Sequence, residues 1–316
     1  MSELEWRSGA AIETLKKRAA LLANLRQFFA ERNVVEIDSP VAGRYGITDR
    51  NIQSVAATVA GESAWLQTSP EYFLKRLLAQ GLGDCYSLGK VFRDGEIGRR
   101  HNPEFTLLEW YRLGWDEHQL MVEVRDLVQQ VCPQLDIETV TYTELFEGVI
   151  GCNPHTSESA QLIERAQKLA GHPLQGLDRS SALDLIFSLA VEPTLADGLV
   201  MVHDYPACQA ALARLHQVNG VTVARRFEVY LNGVELANGY NELTDWVEQQ
   251  QRFAADNSAR QSRSDNPMAI DAKFGAALQH GLPACSGVAL GVDRLLMAML
   301  EVADIEQVLP FSWPRC

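Results

Sequence analysis

The sequence predicts an α+β domain in which an antiparallel β-sheet is flanked by helices. Strand-like runs occur in pairs joined by turns: residues 86–92 and 105–111 flank a polar loop, and residues 227–231 lead through Asn232-Gly233 into a second arm. Helical patterns are gathered in other parts of the chain. Hairpin-connected strands with separate helices are typical of α+β folds rather than doubly wound parallel sheets.

The first part of the chain predicts one helix and two strands. Residues 14–32 predict an amphipathic helix because apolar side chains recur at helical spacing; these are Leu15, Ala19, Leu22, Leu25 and Phe29. Residues 34–37 predict a short strand that ends at Ser39-Pro40, since proline cannot donate to a strand ladder. Residues 62–67 carry the next strand signal.

A second helix is predicted to follow Thr68-Ser69-Pro70-Glu71 and to continue through residue 78. Thr68 or Ser69 would cap it, and Pro70 suits its first turn. Glu71 favours the positive end of the helix dipole. The hairpin of residues 86–111 comes next.

Residues 114–198 are predicted to be a helical insertion within a single domain of residues 1–316. The insertion begins with a helix at 118–131 and continues as loops and helices that show little chemistry. The remaining elements are, in chain order, a strand at 200–203, a hairpin at 227–242, a polar helix at 243–261, a strand at 287–291 and an apolar helix at 293–301.

Composition indicates a globular protein with a large core, since the chain has 316 residues of which 47% are hydrophobic. No run approaches the ~20 apolar residues of a membrane span, and residues 1–11 are too polar for a signal peptide. We therefore expect a cytoplasmic protein without a membrane partner. Cysteines without any C-x-x-C pair predict reduced core thiols rather than disulfides or zinc; they are Cys85, Cys132, Cys152, Cys208, Cys285 and Cys316.

The formal net charge of -13 disfavours a broad nucleic-acid surface. A local basic patch nevertheless occurs in the loop of the first hairpin. Arg93 ends a strand and can meet a phosphate, Arg100 and His101 add positive charge, and Phe105 offers a ring face to a base. The structural alternative is an exposed hairpin with a charged turn.

Three glutamates in the second hairpin predict a shared acidic site. Glu228, Glu235 and Glu242 recur every seven residues, and the Asn232-Gly233 turn could bring them together. Paired carboxylates can hold Mg²⁺ or neutralise an ammonium group. The alternative is a solvated acidic hairpin.

Glycines near the C-terminus precede an arginine at the start of a helix. Gly287 and Gly291 permit close approach of a ligand to the backbone, and Arg294 can reach a terminal phosphate. Alone this pattern is weak evidence, and its value lies in the combination with the two hairpins.

These segments together resemble motifs 1, 2 and 3 of class II aminoacyl-tRNA synthetases. The matching segments are the helix ending at Ser39-Pro40, the stretch from Phe92-Arg93 to Glu109, and Gly291-Val292-Asp293-Arg294. Glu235-Leu236-Ala237-Asn238-Gly239 is similar to lysyl-tRNA synthetases in particular. The resemblance covers residues ~14 to 312 and implies the class II catalytic fold.

We expect no N-terminal OB-fold of the kind found in lysyl-tRNA synthetases, because the motif 1 helix begins within the first ~15 residues. The chain therefore resembles the related elongation factor P lysine ligases, which use (R)-β-lysine. This resemblance implies ATP and Mg²⁺ as cofactors, elongation factor P as the partner, and no tRNA. It also implies a homodimer through residues 15–40, and Arg99 could meet an acidic surface of the partner.

The resemblance also implies a role for each matching residue. Arg93 and Arg294 are the catalytic arginines, on the α- and γ-phosphates. The implied ATP contacts are Arg93, Asp94, Gly95, Glu96, Arg100, His101, Asn102, Phe105, Glu235, Leu236, Gly291 and Arg294. The implied substrate contacts are Ser69, Glu71, Glu109, Tyr111, Asn238, Tyr240, Glu242 and Ala289, with Tyr111 and Glu242 on the ε-ammonium. The implied Mg²⁺ ligands are Glu228 and Glu235.

Two departures from lysyl-tRNA synthetases bear on these roles. Those enzymes usually read Arg-x-Glu-Gly, whereas this chain has Arg93-Asp94-Gly95-Glu96, so Asp94 or Glu96 would replace the usual glutamate. Ala289 stands where they carry glycine, and its methyl group can obstruct an α-ammonium while accommodating a β-amino group. A neutral exchange of one small residue for another is the alternative.

Two other functions remain possible at this level. A truncated lysyl-tRNA synthetase would charge tRNA with ordinary lysine. A non-catalytic synthetase-like module would have lost phosphate arginines or metal carboxylates, and this chain retains Arg93, Arg294, Glu228, Glu235 and Glu242.

Overall fold

The computed structural model describes residues 6–195 and 197–316. Its helices are α1 (Ile12–Ala30), α2 (Glu71–Ala79), α3 (Glu117–Val131), α4 (Tyr142–Ile150), α5 (Ser159–Ala170), α6 (Arg179–Ile186), α7 (Trp246–Ser262), α8 (Ala272–Gly281) and α9 (Val292–Met299). Its strands are β1 (Val35–Glu36), β2 (Ala42–Gly43), β3 (Ala56–Val59), β4 (Glu62–Leu66), β5 (Cys85–Phe92), β6 (Glu104–Leu113), β7 (Ile137–Thr141), β8 (Leu199–Pro206), β9 (Leu215–Val218), β10 (Val221–Leu231), β11 (Val234–Asn241) and β12 (Cys285–Gly291).

One large sheet organises the fold, and its strands run in the order β1-β5-β6-β12-β11-β10-β8-β7, with β9 beside β10. The central neighbours are antiparallel, whereas β1 with β5 and β7 with β8, at the two edges, are parallel. The predicted α+β class is confirmed. The parallel edge pairs and the small separate sheet β2-β4-β3 were not predicted.

The two faces of the central sheet have different surroundings. Even-numbered residues of β6 and β12, such as Leu108, Trp110, Val288 and Leu290, join a core that α1, α3 and α9 complete. This separation follows from strand alternation, which sends successive side chains to opposite faces. Odd-numbered residues of the same strands are therefore available for a site on the other face.

Helix α1 confirms the predicted helix, but its buried face is rotated from the predicted one. Ala19 is exposed, whereas Arg18 is buried. The Arg18 guanidinium donates at 2.5 Å to Asp293 Oδ1 and at 2.7 Å to Thr106 Oγ1. Because the Arg18 charge is paired with Asp293, its burial beside the apolar residues of α1 is compensated.

The start of α2 differs from the prediction. Pro70 occupies the N-cap, and no side chain caps the helix there. Since Thr68 and Ser69 precede that position, neither takes the capping role predicted for it. Glu71 does lie in the first turn.

Residues 114–198 contain two structurally different parts. Leu120, Val124 and Leu127 of α3 pack in the central core, and β7 belongs to the main sheet. Helices α4, α5 and α6 instead enclose a second core against β8 and β10. That the whole segment is an insertion stays a prediction.

Other sequence predictions concern cysteines, membranes and the N-terminus. All six cysteines are free in the described residues, but only Cys85 and Cys285 are buried, so the interpretation as core thiols is wrong for the exposed Cys208 and Cys316. No helix of the described residues is long and apolar enough to cross a membrane. The signal-peptide prediction concerns residues 1–11, of which residues 1–5 lie outside the described part.

Candidate active site

A cavity of about 1160 Å³ lies over the face of the central sheet opposite the main core. Most residues predicted to bind ligands line it: Ser69, Glu71, Arg93, Glu96, Arg100, His101, Asn102, Phe105, Glu109, Tyr111, Glu228, Glu235, Leu236, Asn238, Tyr240, Glu242, Ala289, Gly291 and Arg294. Asp94 and Gly95 are not among its lining residues. Side chains from distant parts of the chain thus meet at one cavity.

Strand register explains why the cavity residues of β6, β11 and β12 lie close together. Ala289 of β12 is paired with Glu109 of β6 on one side and with Asn238 of β11 on the other. Directly opposed residues of neighbouring strands point to the same face. Alternation then places Tyr111 beside Glu109, and Tyr240 beside Asn238, on that face.

A bulge in β11 brings Glu235 to the cavity as well. Val229 pairs with Ala237 and Tyr230 with Glu235, so Leu236 is the extra residue between these pairs. An extra residue reverses the alternation of side chains across a bulge. Glu235 can therefore face the cavity together with Asn238, although the two are three residues apart.

One end of the cavity is acidic, and we call it the amino end: Glu71, Glu109, Tyr111 and Glu242, which line the cavity, together with Lys75, which contacts two of them. Lys75 Nζ lies 2.5 Å from Glu71 Oε1 and 2.7 Å from Glu242 Oε2. The Tyr111 hydroxyl donates to Glu109 Oε1 at 2.8 Å. Glu109 and Glu242 are only 3% and 1% exposed, so this cluster is part of the interior.

Burial and mutual repulsion perturb these carboxyl groups. Burial first and the Glu71 carboxylate second raise the pKa of Glu109 to about 8. Burial also raises the pKa of Glu242 to about 8, against the opposing effect of Lys75. Lys75 alone therefore does not keep all three carboxyl groups ionised near pH 7, and a cationic ligand would favour their ionised forms.

Gly287 makes room for this arrangement. A Cβ at this position would lie 2.3 Å from Tyr111 Cε1 and 2.6 Å from Glu242 Oε1. The side chains of Tyr111 and Glu242 thus lie directly over the β12 backbone. The sequence placed Gly287 in a glycine motif but did not connect it with these two residues.

Glu228 is held by several donors rather than being solvated. Its Oε1 accepts from Arg226 Nη2 at 2.5 Å and Asn238 Nδ2 at 3.2 Å, and its Oε2 accepts from the Tyr205 and Tyr230 hydroxyls at 2.7 and 2.5 Å. Glu228 is 8% exposed. With Glu242 also buried, the alternative of a solvated acidic hairpin is wrong.

The opposite end of the cavity is basic and more open, and we call it the arginine end: Arg93, Arg100, His101 and Arg294. Arg93 Nε is buried and, among the described residues, has no hydrogen-bond partner. Its guanidinium lies 5.0 Å from the Phe105 ring centroid and 3.6 Å from Glu96 Oε1. A buried donor of this kind fits an anionic ligand.

His101 contributes no positive charge, contrary to the expectation from its sequence position. Arg294 Nη2 lies 2.7 Å from His101 Nε2, and since a guanidinium only donates, that ring nitrogen is the acceptor. Burial first and Arg294 second lower the pKa of His101. Arg294 Nη1 also donates to the Glu235 carbonyl at 2.7 Å.

The loop between β5 and β6 gives two further observations. Glu96 lines the cavity whereas Asp94 does not, so Glu96 is the better placed of the two candidates for the usual glutamate. The Asn102 amide donates to the Glu104 carbonyl at 2.6 Å and accepts from the Trp313 backbone at 2.8 Å. Asn102 thereby also supports the shape of the loop.

Sequence reasoning missed several charged residues in or beside the cavity. Lys75 follows Glu71 by four residues, a spacing that signals an ion pair on a helix. Arg226 stands in an apolar strand, a signal for a buried and paired charge. Arg50 pairs with Asp178 at the start of α6, so the middle segment forms part of the cavity wall.

The carboxylates predicted to hold Mg²⁺ are of the ligand type that this ion prefers. Glu235 and Glu228 supply hard oxygen atoms on the cavity wall, and Glu235 Oε2 has a 3.7 Å contact with Arg294. To bind a metal ion, Glu228 would lose one of its four hydrogen bonds, and the metal ion would take that donor's place. No group of three or more His, Cys, Asp or Glu residues suited to a metal occurs in the described residues, so ligand oxygens would complete the coordination.

Comparisons with known proteins give a family and several relatives. Residues 2–315 match the family model described as tRNA synthetases class II (D, K and N). Proteins named elongation factor P--(R)-beta-lysine ligase are similar over nearly their whole length. Those of Vibrio vulnificus and Hamiltonella defensa are 43% and 44% identical to this chain, with 99% and 100% of both chains covered. That of Pasteurella multocida is 42% identical, with 97% of both chains covered.

Proposed function

The chain belongs to the class II tRNA synthetases (D, K and N), and from this membership we propose that it is an ATP-dependent ligase that joins (R)-β-lysine to elongation factor P. The relatives' printed name supplies the substrate and the partner. The observation that carries the proposal is the placement of an acidic amino end and a basic arginine end in one cavity. The positive ammonium groups of a diamino acid match the acidic end, and the negative phosphates of a nucleotide match the basic end.

In the first step, an oxygen of the substrate carboxylate bonds to the α-phosphorus of ATP. The bond between the α- and β-phosphates breaks, and pyrophosphate leaves. Arg93 is proposed to neutralise the carboxylate and the α-phosphate, since its Nε is buried and has no partner among the described residues. Catalysis of this kind rests on positioning and charge neutralisation rather than on a protein nucleophile.

The amino end is proposed to hold the ammonium groups of the substrate. Glu109, Tyr111 and Glu242 would receive the ε-ammonium, and Glu71 with Ser69 the other amino group. Asn238 and Tyr240 would lie beside the substrate, and Ala289 would select the β-amino isomer by excluding an α-ammonium. Their common position on the cavity wall supports these roles.

The arginine end is proposed to hold ATP. Phe105 would stack on adenine and Arg294 would contact the γ-phosphate. The other proposed contacts are Asp94, Gly95, Glu96, Arg100, His101, Asn102, Glu235, Leu236 and Gly291. Mg²⁺, held by Glu235 and Glu228, would supply neutralisation of phosphate charge.

In the second step, the neutral ε-amine of a lysine on elongation factor P attacks the acyl carbonyl of the adenylate. An amide bond forms, the bond between the acyl carbon and the phosphate oxygen breaks, AMP leaves, and the amine's proton passes to solvent. The exposed Arg99, near the cavity, is proposed to meet an acidic surface of the partner.

A homodimer through residues 15–40 is part of the proposal. Within this segment Val35 of β1 is an apolar side chain that is 45% exposed, and an interface there would cover it. Light scattering after size exclusion checks it, and a monomer at all concentrations would contradict it.

Two assays test the function. ATP–pyrophosphate exchange should depend on (R)-β-lysine and proceed only weakly with α-lysine. Labelled β-lysine should then appear on elongation factor P and not on tRNA. Transfer to tRNA alone would support a truncated synthetase, and absence of exchange with either isomer would support a non-catalytic module; the full-length similarity to ligases favours neither.

A further inference from the structure

The amino end contains a cation to which the proposed reaction gives no role. Lys75 is 1% exposed, and its ammonium contacts Glu71 on its own helix and Glu242 just after β11. A buried lysine is costly unless its charge is paired. Its two short contacts join α2 to the end of β11, at the place where the substrate's amino groups are proposed to bind.

The net charge of the cluster indicates how Lys75 affects substrate binding. Because burial raises the pKa of Glu109 and Glu242 to about 8, a bound cation is needed to favour their ionised forms near pH 7. With Glu71, Glu109 and Glu242 ionised, the cluster has three negative charges less the one positive charge of Lys75, or minus two. A β-lysine molecule has two ammonium groups, and its carboxylate is assigned to Arg93. The cluster charge therefore equals and opposes the charge of the two ammonium groups.

The other titratable groups around the cluster leave this count unchanged. They are Tyr72 of α2, Cys85 of β5, Tyr240 of β11 and Cys285 of β12, with Tyr111 of β6 inside the cluster; burial raises the pKa of each, so all five are neutral near pH 7. Asp84, beyond Cys85, is paired with Arg112 at 2.9 Å.

We propose that Lys75 is a positioning residue for the amino substrate. Its ammonium holds Glu71 and Glu242 in place and sets the charge of the amino end to match a substrate with two ammonium groups. This inference rests on the proposed function, from which it takes the substrate.

Replacing Lys75 tests the inference through binding of the amino substrate. Lys75→Met should raise KM for (R)-β-lysine at least about tenfold in ATP–pyrophosphate exchange, with KM for ATP changed less than about twofold. Lys168→Met is the control, because Lys168 is also a helical lysine but is exposed on α5, outside the proposed site and interface. A KM for β-lysine within twofold of wild type would overturn the inference.

A pH profile separates this role from a purely structural one. Without Lys75, one carboxylate lacks a compensating charge and keeps its proton to higher pH. The pH above which KM for β-lysine becomes constant should rise by about one unit, both in Lys75→Met and in Lys75→Gln, which retains N–H donors. An unchanged profile in both variants would overturn the charge-matching role.

A wild-type measurement keeps the inference testable if the variants do not fold. Calorimetry in buffers of different ionisation enthalpy counts the protons released on binding. At pH 7, (R)-β-lysine should release about one proton more than 6-aminohexanoate, which lacks one ammonium group. Equal counts would overturn the inference, whereas loss of β-lysine-dependent exchange in the wild type would overturn the proposed function itself.

Discussion

The two ends of the cavity differ in how their charged groups are paired. At the amino end, Lys75 contacts two carboxylates and Tyr111 donates to a third. At the arginine end, Arg93 keeps a buried N–H without a partner in the described residues, and Arg100 is exposed. The amino end is therefore organised before a ligand arrives, whereas at the arginine end Arg294 is already paired and the buried Nε of Arg93 is left for a ligand's negative charge.

The largest effect is expected at the arginine end. Arg93→Ala removes the donor aimed into the cavity and should cost at least ~3 kcal/mol of transition-state stabilisation, or more than about a hundredfold in kcat/KM for adenylation. ATP–pyrophosphate exchange measures it. Arg125→Ala is the control, since Arg125 pairs with Asp126 on the half-exposed side of α3. Near-normal exchange by Arg93→Ala would refute its role.

At the amino end, the largest effect should come from filling the space that Gly287 leaves. Gly287→Ala introduces a Cβ within 2.6 Å of Glu242 and closer still to Tyr111, so both must move. Such overpacking should raise KM for (R)-β-lysine roughly 10- to 100-fold, with a smaller change in KM for ATP. Gly89→Ala is the matched control, because nothing lies within 4 Å of a Cβ there. Equal behaviour of the two variants would contradict this account.

A smaller effect is expected at Ala289, where a substitution should change the preference between the two lysine isomers. Ala289 lies between Glu109 and Asn238 on the cavity wall, and its methyl group is proposed to exclude an α-ammonium. Ala289→Gly should improve activation of α-lysine relative to (R)-β-lysine roughly tenfold, as expected of one methyl group in a tight pocket. Competition between the two isomers in the exchange assay measures the ratio. An unchanged ratio would indicate that alanine and glycine at position 289 are equivalent for substrate selection.

The sequence predicted more of the arginine end than of the amino end. Hairpins and glycines identified the strands, and the resemblance to synthetase motifs supplied residues that do line one cavity. Lys75 was missed because a Glu-to-Lys spacing of four residues is equally typical of an exposed helix. Burial of such a pair depends on strands far away in the chain, and so does the rotated buried face of α1.

Local geometry was the other part that could not be predicted. The bulge at Leu236 changes which side chains face the cavity, and nothing in the residue pattern marks it. Pro70 occupies the N-cap of α2, although Thr68 and Ser69 are the commoner capping residues. In each case the backbone conformation, which tertiary packing selects, decides the outcome.

The remaining expected effect is a pH dependence that belongs to the amino end. Burial first, and neighbouring carboxylates second, raise the pKa of Glu109 and Glu242 from 4.5 to about 8. Between these values the folded state holds protons that the unfolded state releases, so stability falls as pH rises from about 4.5 to about 8. Binding of ammonium groups requires the ionised carboxylates, so KM for (R)-β-lysine should fall over the same window, by at most about tenfold per pH unit for one proton.

Glu109→Gln isolates this contribution to stability, because an amide resembles the protonated carboxyl group and cannot ionise. Urea midpoints measured from pH 5 to pH 8 should decline less in Glu109→Gln than in the wild type. Glu13→Gln is the control, since the Glu13 side chain is 75% exposed, and its curve should run parallel to the wild-type curve. If the Glu109→Gln curve also runs parallel, the buried carboxylates do not hold protons, and the amino end already has its full negative charge at neutral pH.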